Sequence, residues 1–130
     1  MKRLIDWTIL PTALAATFAT ITMAAAQTVQ TPLSSAVTVT GSSGQVQSEC
    51  GFNAGSPSQV VVVNQPTALR FSVQGEGQPT LWIQGPVSRC VMTPGSSIEV
   101  PGMWEQGTYS IFVGNQSQGS YAYTLSIRQE

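Results

Sequence analysis

From residue 36 onward, apolar and polar positions alternate with a period of two in one short segment after another. Residues 36–40 alternate around Val37 and Val39, and 68–73 put Leu69, Phe71 and Val73 on one side with Arg70 and Ser72 on the other. The same rhythm recurs in 80–84 (Leu81, Ile83), 97–100 (Ile98, Val100), 108–113 (Tyr109, Ile111, Val113) and 121–128 (Tyr121, Tyr123, Leu125, Ile127). Successive side chains of a strand point to opposite faces, so this pattern predicts half-buried β-strands. Residues 59–63 carry four consecutive valines, and 89–92 form a further short strand around Cys90. Turn-forming clusters separate the segments: Asn64-Gln65-Pro66, Gly75 to Pro79, Gly85-Pro86, Thr93-Pro94-Gly95 and Asn115 to Ser120. After residue 26 no segment sustains a helical period. The expected fold is all-β, a two-sheet antiparallel β-sandwich of jelly-roll-like type.

The organisation predicted around this domain has three parts. Residues 1–26 read as a signal peptide: Lys2 and Arg3 precede an apolar stretch from Trp7 to Met23, and Ala24-Ala25-Ala26 offers small residues before Gln27. The competing reading is an uncleaved anchor, since 7–26 has the length of a minimal spanning helix. Its alanine and threonine content favours cleavage, leaving no stable membrane insertion and a periplasmic or extracellular location. Residues 27–35 are polar, contain Pro32, and are expected to form an N-terminal arm. Residues 36–130 form the single β-sandwich domain. Cys50 and Cys90 are the only cysteines, and an exported chain oxidises such a pair. Their spacing fits neither a CxxC redox motif nor a metal cluster, so a structural disulfide is expected.

Charge changes the picture most by its scarcity. Charged residues are 8% of the chain, and beyond residue 26 there is no histidine, lysine or aspartate. Three arginines and five glutamates remain there, too few and too scattered for a nucleic-acid-binding groove. Without histidine or aspartate, no metal site and no cofactor are expected. The abundant serines lack an activating base. Glu99 and Glu105 are the one conceivable acid–base pair, of the kind used in glycoside hydrolysis. A small sandwich has little room for the cleft such a reaction needs.

Three aromatic residues are the candidate ligand- or partner-binding positions. Trp82 falls out of phase with Leu81 and Ile83, and Phe112 out of phase with Ile111 and Val113, so alternation sends both away from the core. An outward tryptophan offers a large flat apolar area for a sugar ring or a docking partner. Trp104 lies beyond Pro101-Gly102, in a segment read as a loop, where it would plug the sandwich or line a site at its end. Arg89, beside Cys90, reads as a solvated surface charge. Asn115-Gln116-Ser117 fits a glycosylation sequon, which would carry no consequence were the chain bacterial.

Three stretches resemble the C-terminal half of bacterial pre-peptidase C-terminal domains, small secreted β-sandwich modules. They are Thr80-Leu81-Trp82-Ile83-Gln84-Gly85-Pro86, Gly107-Thr108-Tyr109-Ser110-Ile111-Phe112-Val113-Gly114 and Tyr123-Thr124-Leu125-Ser126-Ile127. The resemblance implies a sandwich fold and an accessory role. That family often carries an acidic pair after the first of these strands, whereas this chain has Val87-Ser88-Arg89-Cys90-Val91-Met92 there, so metal binding does not carry over. The Ser/Gly-rich lead to Cys50, with the second cysteine after the Gly-Pro turn, is also similar to small exported cyanobacterial proteins of unknown function. The expected function is a non-catalytic exported module for binding or assembly at the cell envelope, with a polysaccharide or a protein as partner. The alternatives are a structural accessory subunit without a ligand and, more distantly, a small glycoside-active enzyme using Glu99 and Glu105.

Overall fold

The structure, a computed structural model, describes residues 27–130. The signal peptide expected over 1–26 lies outside the described residues. Eleven strands follow one another: β1 (Thr28–Gln30), β2 (Val37–Ser42), β3 (Val46–Ser48), β4 (Gly51–Asn53), β5 (Gln59–Val63), β6 (Thr67–Gly75), β7 (Pro79–Gln84), β8 (Arg89–Met92), β9 (Ser97–Trp104), β10 (Gly107–Asn115) and β11 (Ala122–Gln129). The described residues contain no helix.

Two sheets pack face to face as a β-sandwich. The smaller runs β2-β11-β6-β9 and is antiparallel throughout. The larger has β10 at its centre, with β5 and β1 on one side and β7 and β8 on the other; β4 and β3 continue from the far end of β10. Alternation places Val61, Val63, Leu81, Ile83, Tyr109, Ile111 and Val113 from the larger sheet against Leu69, Phe71, Val73, Ile98, Val100, Leu125 and Ile127 from the smaller, all buried. This core is what the period-two pattern of the sequence encodes.

The antiparallel expectation fails at one strand. β1 pairs parallel to β5, with Thr28 beside Val60 and Gln30 beside Val62. The first part of the polar arm expected over 27–35 is therefore built into the sheet, as β1. Its hydrogen bonds show why polar residues suffice: Val60 N donates to Gln27 O (3.1 Å), and Thr31 N donates to Val62 O (3.0 Å). Asn64 donates from its backbone N to Thr31 Oγ1 and from its Nδ2 to Thr31 O. Only Val29 and Leu33 reach the core. An edge strand held mainly by backbone pairing needs little apolar content, so hydropathy alone does not reveal it.

A second departure concerns the segment around Pro101. Proline and the following glycine read as a stop, yet β9 continues through them to Trp104. The ladder explains this. Gly75 N donates to Ser96 O, which makes odd-numbered β6 residues the bonded partners of even-numbered β9 residues. Pro101 therefore turns its missing N–H toward the open edge of the sheet, where none is needed.

The disulfide joins Cys50 and Cys90 with 5.7 Å between their Cα atoms. It ties the turn before β4 to edge strand β8. Cys50 is buried and Cys90 exposed.

Candidate functional site

The outer face of the larger sheet brings the outward aromatic residues together. Phe112 on β10 and Trp82 on β7 are cross-strand partners, and Cys90 on β8 is the partner of Trp82 on its other side. The Trp82 and Phe112 rings sit 5.2 Å apart at 42°, each half-buried against the other. This pairing joins segments about thirty residues apart in the chain, and no local pattern announces it. Register then fixes the surroundings. Ser110 lies between Gln84 and Val60, and Thr108 beside Val62, with Thr28 and Gln30 of β1 completing the rows. Met92, half exposed, stands beside the buried Thr80 at the β8 edge.

The result is an apolar band, from Met92 and the disulfide through Trp82 and Phe112 to Val60 and Val62, edged by glutamine, serine and threonine. None of these outward positions is charged. Arg89 is the partner of Ile83 and so falls in the opposite phase from Trp82, on an exposed edge.

Charge is gathered on the opposite surface instead. On the smaller sheet Arg70 and Arg128 are cross-strand partners, an arrangement that repels unless compensated. Glu99 bonds Arg70 Nη1 (2.9 Å) and accepts from Ser72 Oγ (2.8 Å), while Glu130 takes Arg70 Nε (2.8 Å). The Ser72 hydroxyl and then the Arg70 guanidinium hold the Glu99 carboxyl below the usual carboxylate range. A glycosidase acid needs the reverse shift. Glu105, six residues after Glu99 and just past the end of β9, lies about 20 Å away along the extended strand, far beyond the ~5–9.5 Å of a catalytic carboxylate pair. The Glu99–Glu105 reading is thus corrected: the two do not form a site.

Trp104 is likewise corrected as a binding residue. It is 2% exposed and closes β9 inside the core. Its ring meets Phe71 edge-on at 5.2 Å and Tyr109 at 5.6 Å, and its Nε1 donates to Leu69 O (3.4 Å). Burial, and then the nearby Glu105 charge, push the Tyr109 hydroxyl above the ordinary tyrosine range, while that hydroxyl donates to Glu105 O (2.8 Å). Asn115 of the sequon is buried as well, its Nδ2 donating to Ser117 O (3.1 Å), so it is not presented for modification.

Among the described residues no group of three or more His, Cys, Asp or Glu side chains is placed to hold a metal ion. A shallow hollow over Thr40, Gln74, Glu76 and Thr124 on the smaller sheet offers no outward aromatic, and Glu76 already accepts from Ala122 N (3.2 Å).

A sandwich of this topology is the fold of a pre-peptidase C-terminal domain. The solved domain of that name from the collagenase of Bacillus anthracis superposes with a TM-score of 0.53 at 17% identity, covering 82% of this chain and all of that one. No protein-family model matches the sequence. An uncharacterized protein of Synechococcus elongatus is 36% identical over 93 residues, spanning 66% of this chain and 69% of the relative, and the chain belongs to the same family as that protein.

Proposed function

We propose that this protein is a non-catalytic exported module that binds a neutral polysaccharide of the cell envelope across the outer face of its larger sheet. The observation that carries the reading is the Trp82–Phe112 pair set in a charge-free band edged by Gln84, Ser110, Thr108 and Gln30. Sugar rings present apolar C–H faces that lie on aromatic rings, and hydroxyls that exchange hydrogen bonds with amide and hydroxyl side chains. A charged ligand would find no counter-ion on this face. A disulfide and a fold shared with a pre-peptidase C-terminal domain support export and an accessory role. The runner-up is an accessory subunit docked on a protein, which Val60, Val62 and Met92 favour because they extend the apolar band beyond the aromatic pair.

Sedimentation of the purified protein with insoluble envelope polysaccharide decides between them. Retention of the wild type and loss of retention in Trp82→Ala supports glycan binding. Equal retention of both variants, or none of either, defeats it. Recovery of a stoichiometric protein partner that Trp82→Ala releases would favour the runner-up.

A further inference from the structure

The four-stranded sheet has two lateral edges, β2 and β9, and only one of them is defended. A free edge displays unpaired backbone N–H and C=O groups, which proteins commonly blunt with proline, charge, bulges or short strands. β9 carries Pro101 in the position that faces outward from the ladder, with Glu99 beside it. In the larger sheet β1 and β3 are three residues long, and β8 is four residues held by the disulfide. β2 has none of these devices. It is six residues, Val37-Thr38-Val39-Thr40-Gly41-Ser42, without charge or proline, and its register against β11 runs without a bulge.

The ladder also fixes which residues of β2 look outward. Ser43 N donates to Tyr121 O, and Glu76 N to Ala122 O. In antiparallel pairing bonded residues alternate, so odd residues of β11 serve β2 and even residues serve β6. Val37, Val39 and Gly41 are therefore spent on β11. Thr38, Thr40 and Ser42 direct their backbone groups to the free edge, and among the described residues no hydrogen bond reaches them.

We infer that β2 pairs antiparallel with β2 of a second copy of this chain, about a two-fold axis at Thr40. That register is the one that uses every outward group: Thr40 faces Thr40, and Thr38 faces Ser42 twice. The side chains agree with it, since Val39 meets Gly41 on the inner face and hydroxyls meet hydroxyls on the outer, with no charge to repel. The partner strand would cover Val37 and Val39, both only half-buried, and would join two four-stranded sheets into one of eight. An unrelated extended peptide would be selected by a row of pockets for its alternating side chains, whereas this edge has, among the described residues, a single shallow hollow, at Thr40 and Ser42.

The test uses protein expressed from the full chain and its molar mass by light scattering across a concentration series. Wild type is expected to approach twice the monomer mass at high micromolar concentration. Thr40→Pro removes only an outward N–H, so it should be monomeric while melting within a few degrees of wild type. Thr40→Cys should oxidise to a covalent dimer, because directly opposed residues bring their Cα atoms to about 5.5 Å, within disulfide range. A wild type that stays monomeric, or a folded Thr40→Pro that still dimerises, overturns the inference. A Thr40→Pro variant that unfolds would mean this N–H serves β11, which overturns the assignment of the edge; Thr40→Cys reads the pairing independently of proline.

Discussion

Leu81 and Trp82 are neighbours in the chain that the structure sends to opposite faces of one strand, so truncating each to alanine separates stability from recognition. Leu81 has no exposed surface. Its truncation opens a cavity in a core that both sheets hold fixed, and costs about 2–5 kcal/mol. With each kcal/mol worth roughly 4–8 °C in a domain of about this size, a mid-range loss of ~3 kcal/mol lowers the melting temperature by about 12–24 °C. Trp82 is half-buried against Phe112, so its truncation is not free. It forfeits an aromatic pair worth about 0.5–1.5 kcal/mol and some packing on the sheet surface, which brings the total to about 1–2 kcal/mol. Its effect on binding is larger in proportion: an aromatic anchor worth about 2–3 kcal/mol corresponds to a loss of roughly 30- to 150-fold in affinity. Thermal and urea unfolding give the first comparison, and titration of a soluble glycan fragment followed by tryptophan fluorescence gives the second. The reasoning is refuted if Trp82→Ala destabilises as much as Leu81→Ala, or if it binds as wild type does.

Other expectations follow from the same geometry. Cys50→Ser opens a loop with a sequence separation of 40 and should lose about 2–5 kcal/mol in urea unfolding, while unreduced wild type should show no free thiol after denaturation. Glu99 titrates below its ordinary range in the folded chain, so the stabilisation it supplies is fully present above its unfolded value of about 4.3 and disappears as pH falls through the folded value. Melting profiles across acid pH should therefore lose part of their slope in Glu99→Gln. Gly107 has φ +148° and a Cβ there would strike the Pro86 ring, so Gly107→Ala should cost about 1–3 kcal/mol, read by thermal melting.

The all-β class and most of the core were legible because alternation is a local signal, and each strand from β5 onward with a buried face repeats it. The outward phase of Trp82 and Phe112 came from the same rule. What escaped was set by partners distant in sequence. β1 is polar because its place is secured by backbone bonds to β5 and by Asn64, and neither leaves a trace in hydropathy. Trp104 read as a loop residue because Pro101 looks like a terminator, and only the ladder reveals that this proline faces an edge. Asn115 sits in a stretch that reads as a turn, yet it ends β10 beside Phe52 of β4 and is buried. The adjacency of Trp82 and Phe112, on which the proposed site depends, belongs to the pairing of β7 with β10 and not to either segment.

The link between Cys50 and Cys90 has a mechanical side. A pull on the two ends of the described chain bypasses everything between the cysteines, so β4, β5, β6 and β7 cannot be drawn out even when every hydrogen bond has failed. Only the flanking stretches can lengthen, about 65 residues, which at roughly 3.5 Å each limits the extension to about 230 Å. The centre of the larger sheet is divided by this: β7, which carries Trp82, lies inside the sheltered loop, while β10, which carries Phe112, lies outside it. Stretching would therefore part the two rings while the covalent loop stays closed and carries no load.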